Sequence, residues 1–245
     1  NNPLAFIDPT GMILDPTTWD KDARKAFEKY VEFLNKDPKK YASELATIEQ
    51  LKKSDVNYVI RLDQSGIDYS NGREGGVTTD GKDVFINIAN QGNGSEKFSI
   101  NATIGHELEH ARQFDSGEFG FVSDKNGNFV DKSGKYIGSF VGVDITDEVK
   151  AWAVTAKLAT ATDKMVMGGN TNPEFQFRIL DEFNKSSDKA GVLAKIADNY
   201  KNMSTKESGF PSIKGQPVGT LIRPTSNIRF KDQNGNLLKG FGRTR

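Results

Sequence analysis

Two histidines occur among the 245 residues of this chain, and they stand four positions apart, at His106 and His110. They lie within Phe98 to Phe114, where Ile100, Ile104, Leu108 and Ala111 recur at helical spacing. At about 100° per residue, positions i and i+4 lie about 40° apart and one turn displaced, so both imidazoles share a face. The segment His106-Glu107-Leu108-Glu109-His110 therefore predicts a helix that anchors itself through Ile104, Leu108 and Ala111 and offers two nitrogen donors to one ion. Zinc accepts such nitrogens at about 2.0–2.1 Å. Glu107 is turned too far round the helix to complete the ligand set and suits a general base acting on water. A chain of this composition places histidines and glutamate in this pattern by chance roughly once in 2,500 times. Coincidence is thus a poor account of why both histidines are used here.

Composition removes most rival chemistries. The chain has no cysteine, which excludes a disulfide scaffold, a thiol nucleophile and any Cys-ligated metal site. Lys plus Arg equals Asp plus Glu, 33 each, so it lacks the basic excess of a nucleic-acid or anionic-membrane binder. No run of 18 apolar residues is present, which argues against membrane insertion. With 27% charged residues the chain is polar, but 16 Phe and 6 Tyr supply material for a packed core.

Hydrophobic periodicity places helices over Asp15 to Asn35, with Trp19, Ala23, Phe27, Tyr30, Val31 and Leu34 on one stripe, and over Tyr41 to Lys53, with Leu45, Ile48 and Leu51. Val56 to Leu62 and Asp83 to Asn90 alternate as strands. The second sets Val84, Ile86 and Ile88 against a more polar face. Ser65 to Gly81 reads as loop or hairpin, and Gly117 as the stop of the histidine helix. Asp124-Lys125-Asn126-Gly127, Asp131-Lys132-Ser133-Gly134 and Asp232-Gln233-Asn234-Gly235 carry hairpin turn chemistry and lack the acidic ladder of a calcium loop. Thr146 to Thr162, capped by Asp144 or Thr146, is a helix packed through Val149, Trp152, Ala153, Ala156, Leu158 and Ala159. Pro173 to Asn184 and Lys189 to Lys201 follow as helices, with a late hairpin near Ile228 to Phe241. Helices and strands without regular alternation indicate an α+β fold.

The N-terminus has neither the basic nor the apolar stretch of a signal peptide and no initiator Met, as in a piece of a longer chain. Asn2-Pro3-Leu4-Ala5-Phe6-Ile7-Asp8-Pro9-Thr10-Gly11-Met12 resembles the end of the core of RHS/YD-repeat proteins. In that family a repeat shell encloses a variable C-terminal toxin released by self-cleavage, here after Met12. The resemblance implies a junction at residues 1–12 and a toxin domain at 13–245, secreted or delivered into a target cell. It further implies a cognate immunity protein and the RHS shell of the parent chain as partners.

The His106–His110 motif is similar to that of zincins, the zinc metalloproteases with an HExxH helix. The metzincin branch is excluded, because Gln113 and Ser116 stand where its Gly and third His would be. With no other His or Cys, the third ligand must be an oxygen. Glu148 leads the candidates: it lies 38 residues after His110 near a helix start, and gluzincins complete their site with a Glu on a later helix. Asp147, Asp144 and Asp115 are the alternatives. Where thermolysin-type enzymes carry Asp, this chain has Trp152, so the outer hydrogen-bond partner of a histidine must come from elsewhere. The resemblance implies a zincin-like fold, a Zn²⁺ cofactor and hydrolysis of a protein substrate. It also casts the strand at Asp83 to Asn90 as the substrate-pairing edge, with Tyr136, Arg178 or Tyr200 as oxyanion donor. Two other readings stay open: a zinc hydrolase of a non-peptide or cell-wall amide bond, and a non-enzymatic adhesion or structural tip.

Overall fold

Asp15 and Asp20 divide the first expected helix into two. In the computed structural model, which describes residues 14–62, 75–88, 100–124, 126–141, 145–159, 185–188, 191–192 and 240–242, Asp15 caps a short 3-10 turn over Pro16–Thr18. Trp19 and Asp20 are extended, and the Asp20 carboxylate then accepts from the N–H groups of Asp22 and Ala23 at 3.0 and 2.8 Å. Two capping aspartates five residues apart thus start two segments where periodicity alone reads one. Helix α1 (Lys21–Leu34) buries Ala23, Ala26, Phe27, Tyr30 and Leu34, and Trp19 packs edge-on against Phe27. Helix α2 (Ala42–Lys52) buries Ile48 and Leu51 as expected, but Leu45 only partly. Glu44 is buried instead, paired with Lys157 at 2.7 Å, an ion pair between distant segments that no local pattern announces.

Strand β1 (Tyr58–Leu62), strand β2 (Gly75–Thr79) and strand β3 (Val84–Ile88) form a mixed sheet in the order β1-β3-β2. β1 runs parallel to β3, with Ile60 opposite Ile86, and β2 runs antiparallel to it, with Val77 opposite Ile86. The substrate-edge role expected for the Asp83 to Asn90 strand is therefore corrected: β3 is the central strand, hydrogen-bonded on both sides. Its side chains alternate as read, but both faces are buried. Val84, Ile86 and Ile88 enter the core, while Phe85 lies under the Arg61 guanidinium and the Asn87 amide donates to the Gly76 carbonyl and Thr78 Oγ1. β2 emerges from the segment read as loop or hairpin. With two glycines and two threonines it has little apolar alternation, and pairing with β3 supplies what propensity does not.

The histidine helix, α3 (Ile100–Asp115), packs against β2, β3 and the other helices, with Ile104, Leu108, Ala111 and Phe114 buried. It ends where expected. Gly117 has φ +70°, its N–H bonds to Phe114 O at 2.9 Å, and Glu118 N–H reaches Gln113 O at 2.8 Å, the paired bonds of a glycine-terminated helix. A second, antiparallel sheet joins β4 (Gly120–Val122), β5 (Ser139–Val141) and β6 (Gly240–Gly242), with β4 in the middle. Phe114, Phe119 and Phe121 cluster beneath it. The Asp124 and Asp131 turns are formed as read, with Gly127 and Gly134 at positive φ.

Helix α4 (Ile145–Leu158) lies across α3. Its buried positions are Asp147, Glu148, Ala151, Trp152, Thr155, Ala156 and Leu158, so a polar stripe enters the interior beside the apolar one. The helices meet at Gly105. A Cβ there would stand 2.1 Å from Leu158 Cδ1 and 3.1 Å from Val154 Cγ1. Leu158 is fully buried and has little room to turn away. Gly105→Ala is therefore expected to destabilise the fold by about 1–3 kcal/mol despite alanine's better helix propensity. A thermal midpoint equal to wild type would refute the close crossing.

The described elements thus make an α+β fold with four α-helices and a small mixed three-stranded sheet. Among the described residues no helix is long and apolar enough to cross a membrane. Several expectations lie outside those residues: the 1–12 junction, the helix at 173–184, almost all of the helix at 189–201, the turn at 232–235 and most of the late hairpin.

Candidate metal centre

α3 and α4 bring together side chains that are remote in sequence. His106 Nε2 and His110 Nε2 are 3.2 Å apart, Glu148 Oε1 is 3.4 Å from His110 Nε2, and Glu148 Oε2 is 3.9 Å from His106 Nε2. Four ligands at 2.0–2.1 Å around a tetrahedral ion stand about 3.3 Å from one another. The His–His and His110–Glu148 Oε1 separations are close to that edge length, whereas His106 lies 3.9 Å from the other carboxylate oxygen, so the three side chains converge on one point without yet standing at ligand spacing. His106, His110 and Glu148 form a group that could bind a metal ion.

The alternatives for the third ligand are separated by the same geometry. Asp147 precedes Glu148 and is buried, but it is the Glu148 carboxylate that joins the histidines. Asp115 serves a structural purpose on the far end of α3. Its carboxylate accepts from Gln50 Nε2 at 2.8 Å, from Ser54 Oγ and from Tyr58 Oη at 3.0 Å, tying α3 to α2 and β1. Asp144 lies outside the described residues, as do Arg178 and Tyr200. Tyr136 packs its ring against Phe121, bridges Val130 through its backbone, and burial pushes its phenol pKa up.

Both histidines are held by hydrogen bonds at their outer nitrogens. His106 Nδ1 lies 2.9 Å from Thr155 Oγ1, whose hydroxyl reaches the Ala151 carbonyl at 3.1 Å, and His110 Nδ1 lies 2.8 Å from Gln113 Oε1. Trp152 stands edge-on to the His106 ring at 5.3 Å, closing the site with apolar surface where the thermolysin-type pattern has a carboxylate. These partners were legible in part. Ala151, Trp152 and Thr155 follow Glu148 at i+3, i+4 and i+7, on the face Glu148 occupies, and Gln113 follows His110 at i+3.

Electrostatics separates the two imidazoles. Burial, and then the proximity of His110, hold the His106 pKa well below the ordinary histidine value. Burial lowers His110 as well, but the Glu148 and Glu107 carboxylates, the Gln113 bond and Asp147 outweigh it and raise the net pKa. An incoming proton therefore goes to His110 first. Glu107 is buried on the β2 side of the helix. A Cβ on Gly75 would come within 2.6 Å of its Oε1, so the glycine lets the strand pass directly over the carboxylate.

Compared with family models, with curated proteins and with solved structures, the chain matches none of them.

Proposed function

We propose that this chain is a zinc-dependent endopeptidase that acts as a toxin domain, hydrolysing peptide bonds in a protein of a target cell. The observation that carries the reading is the convergence of His106, His110 and Glu148, whose ligand atoms lie within 4.8 Å of one another, with Glu107 one residue from the first histidine. Two imidazoles and one carboxylate fit zinc, which takes three protein ligands in catalytic sites and leaves a fourth position open. Bound zinc supplies Lewis acidity and lowers the pKa of water. The chain's own residues do the rest. The Glu107 carboxylate accepts the proton of the attacking water and returns it to the departing amine nitrogen. Thr155 and Gln113 hold the imidazoles in place. The RHS-like string at residues 2–12 supports delivery from a repeat shell, with an immunity protein protecting the producer.

Gly75 gives this reading a sensitive control. Gly75→Ala would push a methyl group against the Oε1, Cγ and Cδ atoms of Glu107, so that carboxylate must shift. A displacement of about 1 Å at a reacting group can cost on the order of 100-fold in rate. Gly75→Ala is expected to lose activity on that order while zinc content stays near wild type. Unchanged turnover would remove Glu107 from the reaction.

Two measurements test the function itself. Purified protein should hold near-stoichiometric zinc, and His106→Ala or His110→Ala should release it. Incubation of wild type with a target-cell lysate should produce cleaved proteins that are missing with Glu107→Gln. Zinc without cleaved protein, but with cleavage of a cell-wall amide, would replace the peptidase reading with a different hydrolase. Absence of histidine-dependent zinc would leave an adhesion or structural tip.

A further inference from the structure

Gln113 is completely buried and makes hydrogen bonds to three partners from one side-chain amide. Its Oε1 faces His110 Nδ1 at 2.8 Å, and its Nε2 donates to the Asp147 carbonyl at 2.9 Å and to Glu109 Oε1 at 3.3 Å. A carbonyl oxygen only accepts. The Glu109 carboxylate is engaged by Arg112 through two parallel bonds, Nε to Oε2 at 2.8 Å and Nη2 to Oε1 at 2.7 Å, and so presents acceptors as well. Turning the amide over would set its oxygen against both of these groups. The amide therefore has one orientation, and its Oε1 demands a proton on His110 Nδ1.

We propose that Gln113 is a positioning residue for the metal centre: it fixes His110 in the Nδ1–H form, so that the Nε2 lone pair points towards Glu148 and His106, and it ties His110 to the residue just before Glu148. The proposal deepens the metal-centre reading and rests on it. Two consequences follow from one amide. The tautomer that can ligate is selected before any ion arrives, and the Asp147 carbonyl anchors the start of α4 to α3, setting the gap between ligands on two helices. His106 is held differently. Thr155 Oγ1 can rotate its single proton between Ala151 O and an imidazole nitrogen, so it accommodates either form of His106, whereas Gln113 accepts only one form of His110.

The test begins with metal-free wild-type protein at about pH 9, above the ordinary histidine pKa of about 6.5. Long-range proton–nitrogen correlation of the imidazoles should show His110 with its proton on Nδ1 and an unprotonated Nε2. Gln113→Leu should give a mixture of the two forms and weaken zinc binding, measured by competition with a chromophoric chelator, about 10- to 100-fold. Gln113→Glu keeps an acceptor facing Nδ1 in either protonation state. It should retain the Nδ1–H form and bind zinc more tightly than the Leu variant, which a purely space-filling role would not require. Zinc binding by wild type with His110 in the Nε2–H form, or a Leu variant within about threefold of wild type, overturns the proposal alone. Wild type in the Nδ1–H form that takes up no zinc overturns the metal-centre reading beneath it. The wild-type spectrum decides the tautomer even if a variant fails to fold.

Discussion

Replacing Glu107 with Gln is expected to lower hydrolysis by about 100- to 10,000-fold while leaving the metal in place, the range over which a positioned general base contributes. Gln has the shape of Glu but cannot take a proton from water at neutral pH. Glu107 is also outside the group formed by His106, His110 and Glu148, so zinc content should match wild type. The side chain is buried, and a neutral isostere carries no desolvation cost for an ionised form. Stability should accordingly hold or rise slightly. Turnover together with elemental zinc distinguishes the possibilities. Loss of both would make Glu107 a ligand or a structural residue, and toxicity that survives the substitution would point to a binding domain.

Metal removal should produce the largest change in stability. The three donors stand on two helices, so an ion that binds them holds α3 against α4 in the folded state alone. Free zinc at about 1,000 times its dissociation constant adds roughly 4 kcal/mol. For a chain of this size that corresponds to a rise in Tm of about 8–16 °C. Adding a chelator should reverse it, and His110→Ala should abolish both the zinc content and the chelator effect. A midpoint indifferent to chelation would contradict an ion that bridges the helices.

The same stabilisation has a defined pH dependence. Zinc needs both imidazoles unprotonated, and His110 has a raised pKa in the metal-free fold. Protons therefore compete for it above the ordinary value of about 6.5. His106, held well below that value, does not compete until much lower pH. The zinc-dependent part of the midpoint should be complete in alkaline solution and shrink as pH falls through the His110 titration, with the metal gone by about pH 4. In metal-free protein the raised His110 pKa acts in the opposite sense, since folding then favours the protonated imidazole at lower pH. The chelator-sensitive difference separates the two effects. Metal occupancy unchanged at about pH 4 would exclude the histidine ligands.

How far each element could be read depended on whether its cause was local. The α3 stripe and the Gly117 stop arise within a few residues and formed where periodicity and turn chemistry placed them, and the α1 stripe did so from Lys21 onwards. β2 was legible only as the hairpin alternative for its segment, because its stability comes from pairing with β3 rather than from its own two glycines and two threonines. Burial of Glu44 depends on Lys157 and could not be seen from α2 alone. The central position of β3 is likewise a matter of strand order, which an alternating run does not encode.

By itself the sequence determined which side chains could act as nitrogen donors. Two histidines at i and i+4 must share a helical face, and without cysteine or further histidine any third ligand must be oxygen. Only the tertiary structure brought one carboxylate up to the histidines. The sequence put Glu148 ahead of Asp147, Asp144 and Asp115 without excluding them, and the crossing of α3 and α4 at Gly105 brings Glu148 to the histidines while Asp115 is taken up by Ser54 and Tyr58. The same crossing supplied Thr155 as the partner of His106, whereas Gln113 reaches His110 from within α3. Helical periodicity fixes which side chains share a face, whereas the meeting of two faces depends on how closely the backbones can approach, and here a glycine sets that distance.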